Sequence, residues 1–177
     1  MDSTEIFNWA DNARNKVIRE KGDKDLYVCA SGISPSGHIH IGNFREIITT
    51  ALVVKSLKSQ GKKVRFIYSW DDFDAFRKVP KDFPEEFSKY LGMPLCRVPD
   101  PKGCHKSYAE HFKKELEESI QHLDLGIEYI HQGEMYQACK YADKIKEVLN
   151  NKNKVRDILN KFRKEHYPDE WIPRSEE

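Results

Sequence analysis

Segments with apolar residues at helical spacing alternate along this chain with short apolar runs of strand length. This alternation predicts an α/β fold. Apolar positions at helical spacing favour a helix over residues 3–21 and a second over about 41–59, which ends before Gly61. Short apolar runs at 26–30 and 64–68 have the length of strands. A strand, a glycine-rich turn, a helix and a second strand in this order predict a βαβ unit with two parallel strands.

The second half of the chain is less regular. Five prolines fall within residues 79–103, where we expect irregular chain with one short helix after Pro84. Beyond this segment the pattern predicts a helix at 105–124, a third strand at 126–130, helices at 134–149 and 151–165, and a non-helical end at 167–173.

Composition narrows the function classes. The 177 residues carry 30 Lys and Arg against 29 Asp and Glu, and this near balance excludes a domain-wide basic field for nucleic acid. No apolar run approaches the roughly 18 residues of a membrane span, and the first residues do not resemble a signal peptide, so we expect no membrane partner. The 4 cysteines have irregular spacing, which argues against a disulfide framework and favours a cytoplasmic setting.

The segment that follows the first strand has the composition of a ligand site. Ligands of parallel sheets bind beyond the carboxyl ends of the strands, which is where residues 31–43 are predicted to lie. Its glycines allow close backbone approach, and the next helix offers free N–H groups to phosphates. His38 and His40 stand at the start of this helix, where imidazoles can donate hydrogen bonds to phosphoryl oxygens. The alternative is a polar loop that only caps the helix.

Three carboxylates follow the second strand. Asp71, Asp72 and Asp74 lie next to Trp70, a grouping that suits an ammonium ligand. A solvated acidic loop or a helix cap would use the same residues, and Mg²⁺ bound by one or two of the carboxylates together with phosphates is a further option.

Two stretches give the chain a family resemblance. Residues 35–43, which are PSGHIHIGN, resemble the adenylate-forming signature of class I aminoacyl-tRNA synthetases, with Asn43 where many members have a second histidine. The longer stretches ASGISPSGHIHIGNFRE, VRFIYSWDD and FRKVP resemble class I lysyl-tRNA synthetases in particular. The likeness extends over nearly the whole chain.

The resemblance implies an α/β fold with a Rossmann-like (HUP-type) parallel sheet flanked by helices, together with part of a connective insertion. Residues from about 1 to 78 would form the first βαβ half of a nucleotide-binding catalytic domain, and those from about 79 to 177 a connective and helical segment. The chain lacks a credible Lys-x-Ser-Lys-Ser loop, because residues 55–59 (KSLKS) fit a solvated helix end better. We therefore expect an N-terminal portion that is incomplete relative to the family.

The resemblance also implies the substrates and the residues that bind them. The reaction is ATP-dependent activation of lysine, followed by transfer to tRNA(Lys), with Mg²⁺ carried by the ATP phosphates and no metal ligand from the chain. The implied catalytic residues are His40, Asn43 and His38. The implied ATP-binding residues are Pro35, Ser36, Gly37, His40, Gly42 and Asn43. The implied lysine-binding residues are Gly32, Ser34, Asp71, Trp70, Asp72 and Tyr108.

Zinc is not expected from the spacing of the candidate ligands. Cys96, Cys104 and His105 are three donors in a pattern that fits no common zinc motif, whereas a structural site requires four. His111 falls on a charged helix, where a surface position is predicted.

Two other functions stay open at this stage. The chain could be a synthetase-derived binding or regulatory module without ligase activity, or a nucleotidyl transferase that acts on another small substrate. Self-association is also expected, because an incomplete sheet would leave apolar surface exposed.

Overall fold

The computed structural model of the chain describes residues 8–173. In chain order its elements are α1 (Trp9–Lys21), β1 (Tyr27–Ile33), α2 (Ile41–Ser59), β2 (Val64–Trp70), α3 (Tyr108–Ile120), β3 (Ile127–His131), α4 (Gln132–Gln137), α5 (Ala142–Asn150) and α6 (Lys152–Asn160). Short 3-10 helices cover Glu85–Tyr90, Leu95–Arg97 and Gln121–Leu123. The predicted start of the first helix, residues 3–7, lies outside the described residues.

The three strands form one parallel sheet in the order β1-β2-β3. Tyr27 pairs with Val64, and Phe66 pairs with Ile127. The parallel βαβ unit predicted from the sequence is therefore confirmed, and so is the third strand. β1 continues three residues beyond its predicted end because Ser31, Gly32 and Ile33 keep their pairing with the last residues of β2.

Gly32 allows the ends of β1 and β2 to approach each other. A Cβ atom at this position would lie 2.5 Å from the backbone oxygen of Ser69 and 2.8 Å from its Cβ atom. Gly32 and Ser69 are register partners, so any side chain at residue 32 would push the two strands apart. This glycine is required by the neighbouring strand, whatever else it contacts.

One core lies between the sheet and two helices. Phe66, Tyr68 and Trp70 alternate along β2, point to the same face and are completely or almost completely buried. They pack against Ile47, Ala51 and Val54 of α2 and against Leu116 and Ile120 of α3. The covered face accounts for the apolar positions at helical spacing in both helices.

A second core joins the connective segment to α3. Phe76, Phe87, Leu95 and Val98 pack against Tyr108, Ala109 and Phe112 at the start of that helix. The predicted short helix after Pro84 is confirmed as the 3-10 helix Glu85–Tyr90. The described chain divides into two compact units, and the boundary follows Gln132 and does not lie near residue 78. The second core explains this, because it attaches the connective segment to the sheet. The functional division near residue 78 stays a prediction.

The unit that begins at Gly133 contains short helices and a tail that folds back on them. The helix predicted over 134–149 breaks between α4 and α5, where Cys139 adopts a φ of 54°. In the tail, the backbone N–H of Tyr167 donates to Asn160 Oδ1 at 2.9 Å, and Arg156 forms an ion pair of 2.6 Å with Asp169. The tail is not helical, as predicted.

Membrane insertion through a helix finds no support in the described part of the chain, where every helix is too short or too polar to cross a bilayer.

Replacing Gly32 by alanine should destabilise the protein by about 1–3 kcal/mol, because the added methyl group overpacks the junction of β1 and β2. Urea unfolding measures this free energy. Gly37→Ala is the matched control, since a Cβ atom there would contact only the Tyr108 hydroxyl, at an ordinary 3.9 Å. Equal stability of the two variants would show that the strands tolerate the methyl group.

Candidate active site

His40 caps helix α2 and thereby orients its own ring. The Gly42 backbone N–H donates to His40 Nδ1 at 3.1 Å, and the His40 backbone N–H donates to Asn43 Oδ1 at 3.0 Å. This reciprocal arrangement is a capping box. Because Nδ1 accepts a hydrogen bond, the ring proton of neutral His40 resides on Nε2, and the exposed ring can donate from that atom. The Asn43 side chain accepts through its oxygen, which leaves its amide N–H groups as donors.

Gly42 makes room for this imidazole. A Cβ atom at residue 42 would lie 2.9 Å from His40 Cε1 and 3.0 Å from Nδ1. The sequence predicts that Gly42 leaves space for adenine. In the structure the His40 ring occupies the nearest part of that space, so the first requirement for a glycine here is the cap itself.

The turn before helix α2 is supported by a buried side chain of α3. Tyr108 is completely buried, and its hydroxyl donates to the Ser36 carbonyl oxygen at 2.9 Å. Burial, together with the nearby Asp82 carboxylate, raises the pKa of Tyr108 to about 12, so the hydroxyl stays a donor at neutral pH. The Pro35 side chain is also fully buried. The side chains of Tyr108 and Pro35 support the turn from the core, while Ser36 is exposed and Gly37 half-buried. The ligand contacts implied for these residues stay predictions.

His38 connects the turn to two other elements. Its Nε2 lies 3.2 Å from Asp82 Oδ2, and its Nδ1 lies 3.5 Å from Glu115 Oε2 on α3. The ring also packs edge-on against Phe112, with centroids 5.2 Å apart. His38 is half-exposed and bound between two carboxylates, whereas His40 faces solvent from the helix start.

Asp72 is buried in the interior of the protein. Only 2% of the residue is exposed, and its Oδ2 accepts a hydrogen bond of 2.8 Å from Lys113 Nζ on α3. Lys113 is itself buried and also lies 3.1 Å from His131 Nδ1. In the structure the Asp72 carboxylate is paired with an internal cation, and its contact with lysine stays a prediction.

Trp70 is likewise a core residue. It is completely buried, and its indole N–H donates to Glu117 Oε1 at 3.0 Å. Its side chain holds α3 against the end of β2, and the lysine-binding role that the resemblance implies for Trp70 stays a prediction.

The other two carboxylates are half-buried at the carboxyl ends of the strands. Asp71 Oδ1 accepts the Ser69 hydroxyl at 2.8 Å, and Ser69 in turn accepts from Gln132 Nε2 at 2.8 Å. The Ser34 hydroxyl donates to Asp74 Oδ2. The structure thus brings Ser34, Asp71 and Asp74 to one edge of the sheet, as predicted, and places Gly32 in the strand beside them.

Four side chains of the types that ligate metals meet where the connective segment enters α3. The donor atoms of Asp100, Cys104, His105 and His111 all lie within 4.8 Å of one another. Cys104 Sγ is 3.1 Å from His105 Nδ1 and 3.3 Å from His111 Nδ1, and Asp100 Oδ1 is 3.3 Å from His111 Nδ1. In a tetrahedral Zn²⁺ site with bonds of about 2.0–2.3 Å, the donor atoms are separated from one another by distances similar to these.

The Asp100 carboxylate accepts hydrogen bonds from the backbone of the loop before α3. Burial would raise its pKa, but hydrogen bonds from the backbone N–H groups of Lys102 and His105 outweigh this effect and lower the pKa to about 2. The sequence offers three donors, and the fold brings Asp100 and His111 to Cys104 and His105, so that four donor side chains meet here. His111 is buried, not a surface residue. The sequence carries a signal for this cluster that the spacing argument missed. Asp100 lies four residues before the Cys104-His105 pair, and His111 lies in the first turn of α3.

Residues 55–59 lie in the last turns of α2, as the sequence indicates, but they are not all solvated. Ser56 is buried, and its hydroxyl accepts from Arg14 Nη1 at 3.1 Å and donates to Asp11 Oδ1 at 2.5 Å. This segment joins α1 to α2 and has a packing role.

Replacing Lys113 by methionine should cost about 3–5 kcal/mol of unfolding free energy, because it removes one partner of a buried ion pair. Lys114→Met is the matched control: Lys114 pairs with Glu117 at 2.9 Å but is 44% exposed, and such pairs contribute about 0–1 kcal/mol. Combining Lys113→Met with Asp72→Asn should recover much of the loss. Urea unfolding tests the series, and equal stability of the two single variants would contradict the assignment.

Comparison with known proteins identifies the family of the chain. Residues 7–176 match the family model described as tRNA synthetases class I (K). The chain is 44% identical over 172 residues to the lysine–tRNA ligase of Pyrococcus horikoshii. These aligned residues make up 95% of this chain and 33% of the relative. It is 47% identical over 163 residues to the lysine–tRNA ligase of Treponema pallidum, and the alignment covers 91% of this chain and 31% of that relative. It is 43% identical over 167 residues to the lysine–tRNA ligase of Methanocaldococcus jannaschii, and the alignment covers 94% of this chain and 31% of that relative. The chain spans about a third of the length of these curated relatives. The chain belongs to the class I (K) family of tRNA synthetases.

Proposed function

We propose that this chain forms the ATP- and lysine-binding part of a lysine–tRNA ligase, which activates lysine as lysyl-adenylate and then transfers it to tRNA(Lys). The observation that carries the proposal is the capped start of α2 at the carboxyl end of β1, beside the carboxylates that follow β2. The matched relatives bear the name lysine–tRNA ligase.

In the proposed reaction a lysine carboxylate oxygen attacks the α-phosphorus of ATP. The bond from that phosphorus to the bridging oxygen breaks, and pyrophosphate leaves with the electron pair. Negative charge on the phosphoryl oxygens calls for preorganised donors. The Nε2–H of His40 and the Asn43 amide would supply them at the positive end of the α2 dipole. Mg²⁺ would arrive bound to the ATP phosphates.

His38 would act differently from His40. Its contacts with Asp82 and Glu115 tie the turn to the connective segment and to α3. We propose that it fixes the position of Ser36 and Gly37 beside the phosphates and does not donate to them directly.

Binding measurements separate this proposal from the alternatives. Calorimetry with ATP and with each of the twenty amino acids should show binding of ATP and of lysine. ATP binding together with a response to a different acid or amine, and none to lysine, would favour another nucleotidyl transferase. Lysine binding without ATP binding would favour a regulatory module.

We also propose that Asp100, Cys104, His105 and His111 bind one Zn²⁺ ion. Four protein ligands leave no open position, so the ion would have a structural role. It would fasten the loop before α3 to the first turn of that helix, where Tyr108 supports the turn at Ser36. Zinc would thus stabilise the nucleotide site without taking part in the reaction.

His40→Ala should raise the ATP dissociation constant about tenfold or more, because it removes a hydrogen bond to a charged phosphate. His40→Asn separates this role from helix capping, since asparagine is a good N-cap but is too short to replace Nε2. We expect both variants to weaken ATP binding, measured by calorimetry, and His166→Ala to leave it unchanged. If His40→Asn binds ATP like the original chain, His40 is only a cap.

Zn²⁺ added to metal-free chain should bind with a stoichiometry of one and raise the unfolding temperature, because the ion binds the folded state preferentially. Cys104→Ser should lower the affinity for Zn²⁺ by about tenfold or more, in line with the loss of a thiolate ligand. Cys139→Ser, which changes an exposed thiol outside the cluster, is the control. A Cys104→Ser variant that binds Zn²⁺ as tightly as the control would overturn the site.

A further inference from the structure

A small cavity opens beyond the carboxyl ends of β1 and β2. Its volume is about 280 Å³, near the lower end of the roughly 300–1,000 Å³ typical of ligand pockets. It is lined by Ser34 and Asp74, by the buried side chains of Phe76 and Leu95, and by the exposed Arg77 and Lys78. This size suits an amino acid better than a nucleotide.

The backbone around Asp74 is fixed by neighbouring segments. Its N–H donates to the Asp71 carbonyl oxygen at 3.2 Å, and its carbonyl oxygen accepts from the Leu95 N–H at 2.9 Å. Asp74 Oδ2 also accepts the Ser34 hydroxyl, which comes from the residue directly after β1. A carboxylate has about four acceptor positions, so a bond to serine leaves capacity for a ligand.

The three carboxylates after β2 have separate environments. Asp72 is neutralised inside the protein by Lys113, and Asp71 is bonded to Ser69. Among the described residues that line this cavity, Asp74 is the one carboxylate. The cavity therefore combines an anionic group, apolar walls and cationic side chains at its exposed rim.

We infer that Asp74 binds the side-chain ammonium of lysine and that Ser34 positions the Asp74 carboxylate. This inference rests on the proposed function and deepens it, because it names the residue that distinguishes lysine from an uncharged amino acid of the same length. The four methylene groups of lysine would lie against Phe76 and Leu95, and its α-carboxylate would be drawn toward Arg77 and Lys78. A charged ligand group paired with a half-buried carboxylate gives strong discrimination, since an analogue without the ammonium leaves that carboxylate unpaired.

The test is calorimetry on this chain with L-lysine and with L-norleucine, which retains the α-ammonium and the alkyl chain but lacks the side-chain ammonium. Asp74→Asn should raise the lysine dissociation constant about tenfold or more and change that of norleucine by less than about twofold. Glu86→Gln, which removes an exposed carboxylate from the same connective segment, is the matched control and should change neither.

A second variant pair tests the positioning role of Ser34. Ser34→Ala should reduce the preference for lysine over norleucine by about threefold to tenfold, the range expected for one lost hydrogen bond, and Ser34→Thr should restore it. As a measurement on the unmodified chain, lysine should shift the backbone amide resonances of Asp74 and Phe76 in NMR spectra, whereas norleucine should shift that of Phe76 more than that of Asp74.

Each other outcome decides against the inference. Unchanged lysine affinity in Asp74→Asn would overturn it and leave the proposed function standing. Equal weakening of lysine and norleucine would assign Asp74 to the α-ammonium instead. Tighter ATP binding by Asp74→Asn with unchanged lysine affinity would make the cavity a phosphate subsite. If the unmodified chain bound ATP but neither amino acid, both the inference and the proposed function would fail.

Discussion

The buried ion pair between Lys113 and Asp72 ties helix α3 to the end of the central strand, and the candidate site is built around that attachment. Burying two charges is costly unless they are paired and further hydrogen-bonded, so the pair fixes α3 in one position. The same helix carries Tyr108 to the turn at Ser36 and Glu115 to His38. Displacement of α3 would disturb both contacts with the turn before α2 together.

Helix α2 uses one histidine for two purposes. His40 satisfies an N–H group at the helix start through Nδ1, and the same bond fixes the proton on the outward-facing Nε2. Gly42 is needed because the imidazole folds over its backbone. A stable helix start and a fixed orientation of the exposed imidazole are therefore products of the same local geometry.

The acidic run after β2 shows how adjacent residues acquire different roles. Asp72 points into the core, Asp71 is bonded to the end of its own strand, and Asp74 lines a cavity beside Ser34. The cluster of Asp100, Cys104, His105 and His111 is assembled in a comparable way, since the first three residues come from a loop and His111 comes from α3. In both cases the chemistry depends on which side chains the backbone turns toward one another.

The sequence by itself determined the parallel βαβ unit, the third strand, the positions of the long helices and the segment at 31–43 that carries the family resemblance. These features follow from local spacing and from a contiguous motif, which require no knowledge of distant contacts. Only the tertiary structure decided that Trp70, Asp72 and Tyr108 are internal, that β1 extends through Gly32, and that His111 lies beside Asp100, Cys104 and His105. Burial and donor clustering arise from pairing between segments far apart in the chain, because a side chain's environment is set by whatever packs against it and not by its sequence neighbours.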